Sequence, residues 1–292
     1  MNPQRSLDSG WAGQRLCGSI GRAATLALYD ELALAPKPGL VSLVDSGSHD
    51  DMDAQTFLRS ILALRGYFVR IAELGAAHAE FSELERCGQE AEARMLAATG
   101  GVNTHRGAIF ALGLLCAAAS AAGTNGAGTN GASIRADDIR ATFLRLWGDA
   151  LAERCNRTPR LTGGLAAQRY GLRSASREAA LGMPVLFETV LPAWAEARAA
   201  GLTGQRLNLQ VFFTTLSVLD DSNLAHRGGL VGLQYARDEA RRFLGHGGAL
   251  RNDAIDDAWA IHRRFVARRL SPGGCADMLS AACFLHRIGA IA

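Results

Sequence analysis

The chain has 292 residues, 48% of them hydrophobic and 20% charged; this is a globular balance, and no charge run or proline-rich linker divides it, so one large domain over 1–292 is expected. A net charge of +3, with arginines scattered rather than gathered into a stripe, argues against nucleic acid and leaves anionic small molecules as natural partners. Six widely spaced cysteines without a Cys-x-x-Cys pair suit a reducing cytoplasm, the polar N-terminus lacks a leader's apolar stretch, and the most apolar run, Gly107 to Ala122, falls short of a bilayer span, so no membrane partner is expected.

Helical spacing governs the chain from the start. Leu26, Tyr29 and Leu32, then Phe57, Ile61, Leu64, Phe68 and Ile71, recur at three- and four-residue intervals. The same pattern predicts helices near 81–98, 106–121, 134–155, 185–200, 207–219, 229–244, 252–269 and 275–288. No segment alternates like a strand. The expected class is all-α, with ten or more helices and a polar cleft built from helix ends. A duplicated pentapeptide, Gly123-Thr124-Asn125-Gly126-Ala127 and Gly128-Thr129-Asn130-Gly131-Ala132, reads as a flexible surface loop over 122–133.

Five polar clusters stand where apolar helices stop or start. The first surrounds Lys37, the one lysine among 31 basic residues. A composition that has otherwise exchanged ammonium for guanidinium suggests a position needing a compact point charge, such as a phosphate contact. Pro36 and Pro38 restrict its turn. Beyond it, His49 reads as a general base or phosphate contact, and Asp50, Asp51 and Asp53 as helix caps, with one of them, Asp51, a Mg²⁺ ligand. The second cluster is Thr99-Gly100-Gly101-Val102-Asn103-Thr104-His105-Arg106-Gly107, where glycines and hydrogen-bonding side chains at a helix start suit an anion or nucleotide; capping by Asn103 or Thr104 competes.

The third cluster is Arg169 to Ala179, where Arg173 and Arg177 would share a helical face beside Glu178. Next comes Asp220-Asp221-Ser222-Asn223-Leu224-Ala225-His226-Arg227. Its carboxylates and Asn223 offer hard oxygen to Mg²⁺, and Arg227 can hold phosphate bidentately; one N-capping and one solvated aspartate would be the plain alternative. The last, Ser271-Pro272-Gly273-Gly274-Cys275-Ala276-Asp277, opens the final helix as an anion-binding turn. Cys275 has no nearby lysine or acid–base pair in sequence and is not read as a nucleophile.

In this order, the segments Pro36-Lys37-Pro38-Gly39-Leu40-Val41, Gly47-Ser48-His49-Asp50-Asp51-Met52-Asp53, Thr99 to Phe110, Asp220 to Gly229 and Ser271 to Met278 resemble the triphosphoribosyl-dephospho-CoA synthase family, over about residues 20–288. The resemblance implies an all-α cytoplasmic transferase that joins ATP to 3′-dephospho-CoA, releasing adenine. The product, 2′-(5″-triphosphoribosyl)-3′-dephospho-CoA, is the prosthetic-group precursor of malonate decarboxylase and citrate lyase acyl-carrier subunits, and a separate transferase loads it. The Ala- and Arg-rich composition leans towards the malonate branch.

Displacement at an anomeric carbon calls for a carboxylate that stabilises positive charge or takes the hydroxyl proton, for which Asp220, Asp221 and Glu178 are candidates. The resemblance further suggests Lys37, Arg106 and Arg227 for the triphosphate, helped by Asn103, Thr104, Asn223, Ser271, Gly273 and Gly274. His49 or His105 would assist adenine departure, and Mg²⁺ would sit on Asp51, Asp220 and Asp221. One stretch departs from the family's Tyr-Gly-x-x-Gly-Ala-Arg-Gly-Glu-Ala: here Tyr170-Gly171-Leu172-Arg173-Ser174-Ala175-Ser176-Arg177-Glu178-Ala179 keeps the glutamate but displaces two glycines and an arginine. A Mg²⁺-dependent ADP-ribosyl hydrolase and a non-catalytic carrier-protein adaptor are the alternatives, and a homodimer is the expected assembly.

Overall fold

A computed structural model of the chain describes residues 3–125 and 134–291. Twelve α-helices occupy them: α1 (Pro3–Ala33), α2 (Ala54–Ala76), α3 (Phe81–Ala98), α4 (Arg106–Asn125), α5 (Ala136–Cys155), α6 (Thr162–Tyr170), α7 (Ala175–Ala180), α8 (Leu191–Ala199), α9 (Gly204–Val218), α10 (Ser222–Gly245), α11 (Ala254–Ala267) and α12 (Gly273–Arg287). There is no strand among the described residues, as the periodicity implies.

α4 is the axis of one half. Its small apolar residues, from Ala108 through Ala119, are buried against α1, α2, α3 and α5. The window Arg106–Gly123 is long and apolar enough to cross a membrane by length and composition, yet 72% of it is buried inside the fold, which accounts for its hydropathy as core packing. In the other half α9 packs on α8 and α10, and α10 on α6 and α11. α12 joins the halves by contacting α1, α4 and α9. This junction brings the starts of α4, α10 and α12 towards one another.

Three differences from the sequence expectations have local causes. The helix expected over 185–200 begins as a π-helical turn, Val185–Val190, before α8. The helix expected from 229 starts earlier, at Ser222, and is broken at Gly229, whose φ of 63° and ψ of −167° no side-chain-bearing residue adopts readily. The short α6 and α7 were not foreseen, because nine and six residues carry too few turns to print a period. Of the loop expected over 122–133, residues up to Asn125 continue α4, and 126–133 lie outside the described residues.

Candidate active site

The ends of α4, α7, α9, α10 and α12 enclose a cavity of about 100 Å³. Its polar wall carries Glu178, Asp220, Asp221 and Asp277, with Arg173 as its cation; Phe110, Met183 and Met278 supply apolar surface. Three of the five polar clusters therefore meet here, with Gly107 of a fourth.

Each carboxylate is held by main chain or arginine. Asp221 is 1% exposed and caps two helices at once. Its Oδ1 accepts from Asn223 N at 2.9 Å and Leu224 N at 3.1 Å at the start of α10, and its Oδ2 from Cys275 N at 3.0 Å at the start of α12. Two helix dipoles thus favour its charge. Burial still pushes its pKa above the ordinary carboxylate range, opposed by those N–H donors. Asp220 receives Arg237 Nη2 at 2.6 Å and the backbone N–H of Arg173 at 3.0 Å. Glu178 is buried beneath Arg173, whose Nη1 donates to Oε2 at 2.9 Å, while Val185 N donates to Oε1 at 2.6 Å. Glu178 keeps this position although the glycines expected around it are replaced, since Ser174 caps α7 by accepting from Arg177 N. Arg177 is not in the cavity wall.

Asp277 is the functional candidate that the sequence reading missed. It is the fifth residue of α12, in a segment whose glycines are its visible sequence signal, and a lone carboxyl in a helix carries none of its own. It is half-buried, open to the cavity. Burial and the neighbouring Asp221 and Glu31 charges drive its pKa well above the usual range, against a backbone hydrogen bond from Ala108. Gly107 makes room for it: a Cβ there would fall 1.9 Å from Asp277 Oδ2.

A second group forms a cationic ledge. Arg227 donates through Nη1 to Ser48 O at 3.0 Å and Arg269 O at 3.3 Å, and through Nη2 to His49 Nδ1 at 3.0 Å. A guanidinium only donates, so His49 Nδ1 accepts and Nε2 carries the hydrogen to Ser271 Oγ at 2.9 Å. Burial and the Arg227 charge keep His49 neutral by lowering its pKa, outweighing Asp51, whose Oδ1 lies 3.5 Å from the ring. Arg269 pairs at the surface with Asp50. Ledge and cavity are adjacent, since Ser271 belongs to one and Gly274 to the other, three Cα steps or at most about 11 Å away. Asn223 and Gly273 lie between them: a Cβ on Gly273 would meet Asn223 Nδ2 at 2.6 Å.

The remaining expected site residues fall elsewhere. Lys37 is 1% exposed; its ammonium is ion-paired with the Glu31 carboxylate and donates to Glu31 O at 2.8 Å, sealing the C-terminal end of α1. Desolvation lowers its pKa despite Glu31. Its isolation in the composition marks a buried ion pair, and Glu31, six residues back, carried no signal of its own. His105 is buried, with Nδ1 2.7 Å from Ser60 Oγ and 3.1 Å from Thr104 Oγ1, and Nε2 without a partner. Burial and the Lys37 charge lower its pKa to about 3. Arg106 is turned onto Glu92 of α3 at 2.6 Å, and Asn103 Oδ1 accepts from Arg106 N, so the second cluster mainly caps α4. Asp53 caps α2 through Thr56 N. Asp51, expected beside Asp220 and Asp221 as a metal ligand, belongs to the ledge instead, and among the described residues no three His, Cys, Asp or Glu side chains gather to hold a metal by themselves.

Comparison with known proteins bears on this arrangement. The profile of a family described as CitG, ATP:dephospho-CoA triphosphoribosyl transferase, matches residues 17–292. A probable 2-(5''-triphosphoribosyl)-3'-dephosphocoenzyme-A synthase of Acinetobacter calcoaceticus is 36% identical over 91% of this chain and 89% of its own. Proteins with the same description from Citrobacter koseri and Vibrio cholerae are 35% and 33% identical, covering 99% and 98% of this chain and 97% and 93% of theirs. No solved structure matches the chain.

Proposed function

Since the chain belongs to the ATP:dephospho-CoA triphosphoribosyl transferase family and is an enzyme of that kind, we propose that it serves malonate decarboxylase, and that its chemistry takes place at the mouth of the acid-walled cavity. In the family's reaction the 2′-hydroxyl of dephospho-CoA attacks C1″ of the ATP ribose. The C1″–O bond forms, the bond from C1″ to adenine breaks, the attacking hydroxyl gives up its proton to a base, and the departing purine takes one up, so that protons balance overall. The triphosphate stays on the product as a handle. Family membership displaces the adaptor alternative and favours the synthase over a hydrolase.

The observation that carries the assignment is one acidic and one cationic region side by side. Positive charge develops at C1″ as adenine departs, and fixed carboxylates in a water-poor wall stabilise it without reorganising. Asp220, the more exposed of the Asp220–Asp221 pair, takes the hydroxyl proton, and Glu178 lends its charge. Asp221 acts by pinning α10 to α12, so that Asn223 and Arg227 keep station. Arg227, Arg269, His49 and Ser271 receive the phosphates, with the main-chain bonds of Arg227 prepaying its orientation. Lys37 and His105 support from below, and adenine departure does not draw on them directly.

Mg²⁺ fits this donor set as an ion carried chiefly by phosphate oxygens, which needs one or two protein carboxylates. Asp51 on the ledge and Asp220 at the cavity mouth would supply them; each Asp220 oxygen carries a single donor and the side chain is partly exposed, whereas Asp221 is buried under three N–H donors. Bound there, the ion would neutralise phosphate charge.

The test is mass-resolved chromatography of the protein with Mg²⁺, ATP and dephospho-CoA. Adenine and the triphosphoribosylated product appear in equal amounts; adenine released without dephospho-CoA would instead mean hydrolysis. Passing the product to a carrier-loading transferase decides the branch: the malonate decarboxylase carrier subunit becomes modified, and exclusive loading of the citrate lyase carrier overturns the malonate assignment.

A further inference from the structure

Resting on that reading, we propose that the cavity is the seat of the purine that leaves ATP, and that the triphosphate stays outside it on the Arg227–His49 ledge. Sign of charge comes first. Glu178, Asp220, Asp221 and Asp277 all face the cavity, and its one cation, Arg173, is already bonded to Glu178. A polyanion pushed into that wall would meet the carboxylates of Asp220 and Glu178 and would further oppose ionisation of Asp221 and Asp277, which burial already disfavours. The ledge offers Arg227 and Arg269 with a neutral imidazole and a hydroxyl between them; its own carboxylates, Asp50 on Arg269 and Asp51 beside His49, are exposed, where solvent screens their charge.

Size and surface agree. The cavity's volume of about 100 Å³ holds on the order of ten water-sized positions at ~10–15 Å³ each. That is the scale of a bicyclic base, not of a base with its sugar and phosphates. Phe110, Met183 and Met278 give flat and adaptable apolar contact, and burying a ring there gains roughly 25 cal/mol per Å² of apolar area.

The polar edge agrees too. The exocyclic amino group of adenine donates, and a wall of carboxyl oxygens accepts. Asp220, Asp221 and Glu178 are each tied by two or more donors, whereas Asp277 has only the Ala108 backbone bond, and so retains capacity for a base edge. The short path from Gly274 to Ser271 lets a ribose stand at the mouth, base inward and phosphates on the ledge. ATP and dephospho-CoA both contain adenine. We assign the cavity to ATP, because the bond that breaks must lie against the carboxylates.

The experiment titrates free adenine into the full-length protein by calorimetry, then into Ala175→Trp, an exposed position on the cavity wall, and Met278→Trp within it. Inorganic tripolyphosphate is the second probe. Adenine binds the wild type and inhibits competitively against ATP; either tryptophan weakens adenine at least tenfold while tripolyphosphate binding is unchanged. Should Met278→Trp not fold, Ala175→Trp carries the test alone. Adenine that does not bind, that binds Ala175→Trp as tightly as wild type, or that competes only with dephospho-CoA overturns the seat. Failure of the synthase reading is a separate result, the absence of triphosphoribosylated product from wild-type protein, and leaves the adenine titration to be judged by itself.

Discussion

The cavity and the ledge lie within about 11 Å of each other and solve opposite problems by the same means. In the cavity, negative side chains are steadied by N–H groups: Asp221 by the first turns of α10 and α12, Asp220 by Arg173 N, Glu178 by Val185 N. On the ledge, the positive Arg227 is steadied by the carbonyls of Ser48 and Arg269. Main-chain dipoles thus fix both signs of charge before any substrate arrives, and fixed charge stabilises a developing charge at little cost in reorganisation. The lesson is that helix ends, read first as capping positions, can cap and present charge at once.

If the cavity acts on the transition state and the ledge on binding, Glu178→Gln separates them most sharply. Adenine release falls by roughly 10²–10⁴-fold, the range for losing a placed acid–base or charge-stabilising group, with little change in KM for ATP; a rate within a few-fold of wild type removes Glu178 from the chemistry. Beneath both regions, Lys37→Met leaves the Glu31 carboxylate buried without its partner. Unfolding free energy drops by about 3–5 kcal/mol, read by denaturant titration, and an unchanged midpoint would mean that water reaches the pair.

Arg227→Ala tests the ledge. Loss of its charged hydrogen bonds costs about 1.5–3 kcal/mol, seen as a ten- to hundredfold rise in KM for ATP with kcat much less affected; the reverse split would move Arg227 into the chemical step. Asp277→Asn has a smaller, pH-dependent effect. The folded pKa of Asp277 is raised from 3.8, so its contribution to stability is full below 3.8 and is lost as pH rises through the raised value. The variant therefore gains stability relative to wild type between pH 4 and neutrality, measured as a melting-temperature difference that widens with pH. A constant difference would show that Asp277 is ionised in the fold. His105 gives the opposite sign: its pKa falls from 6.5 to about 3, so its share of stability is lost as pH drops between those values, and His105→Asn flattens that acid limb.

Much of this was legible because helices write a period into sequence. Phe57, Ile61, Leu64, Phe68 and Ile71 announced α2, and all are buried on one face. Asp220, Asp221 and Glu178 stand out in sequence because adjacent carboxylates and a glutamate retained within an altered motif are unusual, and all three line one cavity. Lys37 was equally conspicuous, yet the expected phosphate contact became a sealed pair, because composition records that a residue is singular and not what stands opposite it. Arg106 likewise turned to Glu92, fourteen positions upstream, a partner that spacing along one helix cannot reveal.

The sequence by itself determined the helical class and, through its motifs, the family, since periodicity and ordered polar segments are properties of the linear chain. Only tertiary structure decided which polar clusters share a site. α12 lies across α1, α4 and α9, and Asp221 binds the start of α12 to that of α10. This contact sets carboxylates on one side and Arg227 with His49 on the other, because buried charges must find donors or acceptors wherever the packing of distant helices supplies them.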